Sequence, residues 1–344
     1  MRINIFKTSA PLLAALCLAL TACDDWTDNE SVTLRQPDIT RENPALYEEY
    51  LRALRAYKAS EAHNPVYLWF DNGEKSPYSR LHHINALPDS VDVIDLIHPD
   101  NLADWELEEI AEVRLEKGTK VTYTIDYDAI RSIYDTRSLE AANAGLTMEK
   151  PFNDFLVDTL QTALSFAKKY DYDGICVAYN GKNPLSMSDE EMREHRLNEA
   201  AFMGIVDDWS TRNADRTLTL RTNPQYLHDL SIVSRCAKVL IPCDDASDAD
   251  AFTLYVEQAA VDPDVISKLG VFVTGPKAVD PNKEVGYMLD GRTRLLGLAE
   301  WFPRRHAVDA TAVGVYNPAG DFYSTTRIYN DTRTLISTIN PPLK

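Results

Sequence analysis

Cysteine is scarce and poorly spaced for chemistry. Five occur in 344 residues, and Cys17 and Cys23 fall in an N-terminal apolar segment. Cys176, Cys236 and Cys243 are left, an odd number with no CxxC pair. That count argues against a disulfide framework or a thiolate zinc site, and the three read as small buried hydrophobes. The seven histidines include His82, His83, His98, His195 and His306, but no HExxH or other ligand spacing occurs, so neither a metal nor a cofactor is expected. GxSxG is missing, and with it any support for esterase chemistry. No glycine-rich phosphate loop follows the first strand-like segment, which counts against a nucleotide-binding open sheet. Positive charge is in deficit, with 35 Lys and Arg against 53 Asp and Glu and a net charge of −18. Such a surface repels phosphate backbones and anionic headgroups, so nucleic acid is not expected as a partner, while neutral ligands stay open. Fixed-period repeats, internal Gly/Ser linkers and low-complexity tracts are also missing, which favours one domain.

The first segment is not part of the fold. Arg2 and Lys7 precede an apolar run from Pro11 to Leu20, too short for a permanent membrane span, so residues 1–22 read as a secretory signal. The run ends in Leu20-Thr21-Ala22-Cys23, which resembles the bacterial lipobox, where the cysteine is acylated and becomes the first mature residue. That resemblance implies lipidation at Cys23 and anchoring by two or three acyl chains, since one chain binds a membrane only marginally. Residues 23–41, which open with DDWTDNES after the cysteine, read as a solvated acidic tether. They resemble the acidic export signals of surface lipoproteins in Gram-negative glycan scavengers. The implied place is the outer membrane, at the cell surface or on the periplasmic face, alongside glycan-import proteins.

Residues 42–344 suit a single (β/α)8 barrel, typically ~250 residues before insertions. Hydrophobic residues at 44% and charged ones at 26% provide for a large core. A lead-in helix carries Leu46, Tyr50, Leu54 and Tyr57 on one stripe, with Pro44 near its start. Strand-like runs then alternate with helix-like ones. The strands are expected at 66–73, 90–97, from Lys120, at 174–179, 217–223, 238–245, at GVFVTGP (270–276) and within 310–322. One helix is expected to stop at Gly118, and Ser188 with Glu191 forms a capping box that opens a polar helix through Asp208. Eight mostly apolar strands alternating with helices point to a parallel α/β TIM barrel.

The chemistry turns on YDYDGICVAYN, residues 170–180. Side chains alternate along a strand, so Cys176, Ala178 and Asn180 share one face, and a strand's C-terminal end in such a barrel lies at the active mouth. Residues 172–180 resemble the fourth-strand signature of glycoside hydrolase family 18, the chitinases and endo-β-N-acetylglucosaminidases. That signature is an aromatic-Asp-Gly start followed by Asp-x-Asp-x-Glu. Tyr172, Asp173, Gly174 and Ile175 fit the start, whereas the three acidic positions fall on Cys176, Ala178 and Asn180. The resemblance implies cleavage beside N-acetylglucosamine, in which the Glu protonates the leaving oxygen and the substrate's acetamide attacks. Such a mechanism still needs one proton donor, and a neutral amide cannot supply it. Loss of a general acid costs about 10²–10⁴-fold.

The resemblance further implies ligand contacts at the mouth. At strand six Ile241-Pro242-Cys243-Asp244 keeps the Asp of a family Tyr-Asp pair, and Tyr316 on strand eight stands where the family offers an aromatic platform. Trp69, Trp301 and Tyr316 near strand ends offer rings for sugar faces, and Asp71, Asp126, Asp128, Asp244 and Asp245 are acids that could ring the opening. The expected binding residues are Trp69, Asp71, Asp126, Asn180, Asp244, Trp301 and Tyr316. The expected function is an inactive family 18-like lipoprotein that binds N-acetylglucosamine-containing or related glycans. Two alternatives stay open: a hydrolase using relocated carboxylates, and a structural or assembly lipoprotein without glycan affinity.

Overall fold

The structure is a computed structural model that describes residues 42–341 except 61, 149 and 305. The signal segment, Cys23 and the acidic tether lie outside the described residues. The barrel lies within the compact unit Tyr50–Lys344.

The element order is α1 (Pro44–Lys58), β1 (Val66–Phe70), β2 (Val93–Leu96), α2 (Asp104–Lys117), β3 (Lys120–Asp126), α3 (Tyr127–Asn143), α4 (Phe152–Lys169), β4 (Gly174–Tyr179), α5 (Asp189–Arg212), β5 (Thr217–Thr222), β6 (Lys238–Pro242), α6 (Ala251–Ala259), α7 (Pro263–Lys268), β7 (Leu269–Thr274), α8 (Arg294–Trp301), β8 (Val313–Tyr316), α9 (Ala319–Phe322) and α10 (Asn330–Ile339). Each strand pairs in parallel with the next and β8 closes on β1, so the sheet is a complete eight-stranded barrel. All eight expected strands form, most of them shorter at their ends. β1, for example, stops at Phe70 because the Asp71 carboxylate turns back to accept from the Gly73 N–H at 3.0 Å. Two of the crossovers, β1 to β2 and β5 to β6, carry 3₁₀ turns instead of α-helices. Prolines such as Pro77, Pro88 and Pro224 interrupt helix propagation in those segments.

Local signals work where the sequence placed them. Gly118 ends α2 in the left-handed region at φ 64°, and the Ser188–Glu191 capping box opens α5, which runs on to Arg212. The lead-in helix differs. Leu51 and Leu54 are its buried positions and Tyr50 is exposed, so the packed stripe is rotated from the one read in the sequence.

Burial on both faces makes the strands near-continuous apolar runs, and β4, Gly-Ile-Cys-Val-Ala-Tyr, is buried throughout. Two clusters separate by strand face. Ile175, Val177 and Tyr179 pack outward with helix residues such as Leu160 and Phe202, while Cys176 packs inward with Tyr67, Trp69, Val93, Leu240, Phe272 and Ala312. Cys176, Cys236 and Cys243 are free and buried.

Candidate functional site

The start of the fourth-strand signature is occupied with structural work. Tyr172 is buried and its hydroxyl donates to the Pro99 carbonyl at 2.9 Å. Asp173 Oδ2 accepts from Arg114 Nε and from the Val121 N–H, each at 2.7 Å. A Cβ on Gly174 would overlap the Thr217 carbonyl on β5, so glycine is required by the close approach of two strands. These three positions hold β4 in the barrel regardless of any chemistry at its far end.

Further along β4, the inner face carries a different arrangement of charge. Asp126 on β3, Ala178 on β4 and Arg221 on β5 stand side by side in the strand register. Adjacent strands are about 4.8 Å apart, and the arginine is long enough to cross the intervening one. Arg221 Nη2 donates to Asp126 Oδ2 at 2.6 Å, over the methyl group of Ala178, and its guanidinium lies 4.9 Å from the centre of the Phe272 ring. Asp126 Oδ1 also caps α3, accepting from the Ala129 N–H at 3.1 Å. A carboxylate at 178 would lie directly under this ion pair.

One layer deeper, Thr124 and Thr219 flank Cys176, whose thiol burial pushes well up. Here the barrel interior does contain an acid, on β2 and not on β4. Asp95 is fully buried and accepts from Thr124 Oγ1 at 2.7 Å and Thr122 Oγ1 at 2.8 Å. Trp69 Nε1 in turn donates to Thr124 Oγ1 at 2.7 Å. Burial pushes the Asp95 carboxyl up to about 7, against the two hydroxyls and Arg221.

At the rim, Asn180 Nδ2 donates to Asp128 Oδ2 at 2.9 Å, and Asn223 Nδ2 donates to the Asn180 carbonyl at 3.2 Å. Burial, then repulsion from Asp126, raises the Asp128 carboxyl, and the Asn180 hydrogen bond opposes them. Asp244 is fixed from β7, where the Thr274 N–H donates to its Oδ1 at 2.6 Å. Asp126, Asn180, Arg221, Asp244, Phe272 and Tyr316 line one cleft of about 560 Å³ over the strand ends.

This parallel barrel, with its aromatic-Asp-Gly entry to β4 and a cleft over the strand ends, coincides with a family match. The sequence profile described as Glycoside hydrolase family 18, BT1044-like, matches residues 27–338. The chain belongs to glycoside hydrolase family 18. No curated protein matches it in sequence. Among solved structures, a selenomethionine variant of BT1044 superposes with a TM-score of 0.59 at 15% identity, covering 89% of this chain and 96% of that one. The endo-β-N-acetylglucosaminidase of Cordyceps militaris gives 0.56 at 13% identity over 85% and 96%. A family 18 chitinase of Chromobacterium violaceum gives 0.51 at 10% over 81% and 83%. At these identities the likeness is one of fold.

The family 18 cleft gathers Asp126, Asn180, Asp244 and Tyr316 as expected positions. Two expected aromatics are corrected. Trp69 lines the cleft floor but is 1% exposed, held by its bond to Thr124, so it is no open platform. Trp301 lies on α8 in the outer core, stacked on His306 with centroids 4.3 Å apart and donating to Thr253 Oγ1 at 2.9 Å; the eighth helix carries it to the barrel flank and away from the mouth. Asp71 lines a neighbouring groove of about 540 Å³ with the exposed Tyr78 and Tyr323. Arg221 and Asp95 went unread in the sequence. Strict alternation in TLTLRT would have found Arg221, since Thr217, Thr219 and Arg221 share one face. Among the described residues, no three His, Cys, Asp or Glu converge to hold a metal ion.

Proposed function

We propose that this family 18 barrel binds an N-acetylglucosamine-containing glycan at its mouth without hydrolysing it, while anchored through Cys23 to the outer membrane. The observation that carries the reading is the Arg221–Asp126 ion pair lying across Ala178. Substrate-assisted cleavage needs a carboxyl group to orient the acetamide and a second to protonate the leaving oxygen; the methyl of Ala178 and the amide of Asn180 can do neither. The cleft nonetheless keeps a ring face and fixed polar groups of the kind that recognise sugars, with the half-buried Tyr316 beside Asn180 and Asp244. The ligand class is supported by the Cordyceps militaris relative, which is an endo-β-N-acetylglucosaminidase and of which a variant has been solved with fucosyl-N-acetylglucosamine-Asn.

Titration calorimetry against N-acetylglucosamine and mannose oligomers, followed by prolonged incubation of the same oligomers at high protein concentration, tests this. Binding with every oligomer recovered intact is the expected result. Absence of any affinity would favour a structural lipoprotein. Cleavage would favour the hydrolase reading, which has Asp128 on its side: this carboxyl sits 2.9 Å from the Asn180 amide, and burial and then Asp126 raise it above the ordinary carboxylate range. In that case Asp128→Asn abolishes turnover. The anchor is tested separately. Labelled palmitate should enter the wild type and not Cys23→Ala, and protease treatment of intact cells separates the cell surface from the periplasmic face. Co-purification of a glycan-import protein with the anchored form tests the partner.

A further inference from the structure

A second cavity, of about 440 Å³, lies on the outward side of β4, between the first turns of α3, the loop after β4 and the N-terminal part of α5. Its size is within the roughly 300–1,000 Å³ of small-molecule sites. Tyr179, on the outward face of β4, stacks on His195 of α5 with centroids 5.9 Å apart and 28° between planes, and its hydroxyl is 3.3 Å from His195 Nε2. Behind His195 stands Glu199, 2% exposed. Its Oε1 accepts from the backbone N–H groups of His228 and Asp229 at 2.7 and 3.1 Å. The other oxygen, Oε2, makes no hydrogen bond and faces His195 Nε2 at 3.8 Å. Glu199 thus stands directly behind a ring that lines the cavity and also acts on the neighbouring Tyr179 hydroxyl.

The remaining wall restricts what the cavity can take. Arg131 is satisfied by Asp135 at 3.0 Å and Glu194 at 3.3 Å, and Glu191 is engaged in the α5 cap. Lys182 makes no ion pair among the described residues, and Asp128 is engaged by both the side-chain amide and the backbone N–H of Asn180. With Asp135 and Glu194 taken by Arg131 and Glu191 by the cap, the charges left to face the cavity are Asp128 and Lys182, one of each sign, which favours a neutral ligand over an anion or a cation. A neutral ligand whose hydroxyls both donate and accept satisfies Lys182, His195 and Asp128 together, with the partly exposed Met187 at its apolar side. Asp128 ties this cavity to the mouth, since the same carboxylate lines one and holds Asn180 at the rim of the other.

We propose that the cavity between α3 and α5 is a second sugar subsite, which takes a neutral monosaccharide unit of the same glycan whose other end occupies the barrel mouth. This rests on the glycan-binding reading above. The test is calorimetry with the full-length protein, using a released high-mannose N-glycan and N-acetylglucosamine as probes, on the wild type, Lys182→Ala and His195→Ala. Each lost hydrogen bond to a charged or imidazole donor should lower the ratio of oligosaccharide to monosaccharide affinity about tenfold. The His195 imidazole resonances of the wild type should shift with the oligosaccharide and stay in place with the monosaccharide. An unchanged ratio in both variants, with His195 signals that do not respond, overturns the second subsite and leaves the mouth intact. A wild type that binds neither probe overturns both readings. Folding is checked by circular dichroism, and Glu199, which holds two backbone amides, is left unaltered.

Discussion

Replacing Asp95 by asparagine should make the protein more stable in alkali and nearly unchanged in strong acid. Asp95 lies at the centre of the barrel with its two oxygens on Thr122 and Thr124, and burial raises its carboxyl from the ordinary 3.8 to about 7. The folded chain therefore binds this proton more tightly than the unfolded chain does. The stability associated with it is complete below about pH 4 and is lost as pH rises through about 7. A gap of about three pH units at 1.36 kcal/mol each amounts to about 4 kcal/mol between the acid and alkaline limits. Asparagine reproduces the neutral acid: its oxygen accepts from Thr124, whose own oxygen is taken by Trp69, and its amide donates to Thr122. Urea unfolding of both proteins at pH 5, 7 and 9, followed by circular dichroism, reads the difference directly. Asp128 and Asp321, whose carboxyls are also raised, cancel in that difference. Asp95→Asn should lead by about 1.5 kcal/mol at pH 5, where the unfolded chain already releases this proton, and by about 4 kcal/mol at pH 7 and pH 9. A gap that is the same at all three pH values would refute the reasoning, because it would mean that the buried carboxyl does not titrate between them.

Other consequences can be measured on the same material. Arg221→Met strands the partly buried Asp126 carboxylate and should cost about 2 kcal/mol, between the values for exposed and fully buried pairs; adding Asp126→Asn should recover most of it, and a double-mutant cycle on denaturation midpoints reports the coupling. Restoring acids by Ala178→Asp with Asn180→Glu should give no hydrolysis of a fluorogenic N-acetylglucosaminide while Arg221 remains, since the new carboxylate at 178 is captured by the guanidinium; full activity in that double variant would show that Arg221 is not an obstacle. Gly174→Ala forces β4 away from the Thr217 carbonyl and should destabilise by about 3 kcal/mol or more, visible as a large drop in the melting temperature. Gly204→Ala, at an exposed α5 position with open space around it, should instead stabilise by about 0.5–1 kcal/mol.

Much of the architecture is written in short-range pattern. Strand runs buried on both faces, Gly118 after α2 and the Ser188–Glu191 box are decided by residues within a few positions of each other, so alternation and capping chemistry suffice to read them. The β4 motif was legible for the same reason, down to which of its side chains share a face. The rotated stripe on α1 shows the limit, because leucine and tyrosine at neighbouring positions offer two plausible faces and only the packing partner selects one.

The site divides along the same line. The reading that sets Cys176, Ala178 and Asn180 at the acidic positions of a family 18 strand rests on the sequence alone, since register within one strand is fixed by counting in twos. What fills the resulting space does not. Arg221 is 95 residues from Asp126, and their meeting over Ala178 depends on the stagger of three strands in a closed barrel, a quantity that no local pattern encodes. Trp301, near a strand in sequence, is carried to the flank by the helix that bears it, while Asp95, one more residue in an apolar run, becomes the buried acid of the interior. Sequence determined the barrel and its strands; tertiary structure alone decided which distant charges meet beside Ala178.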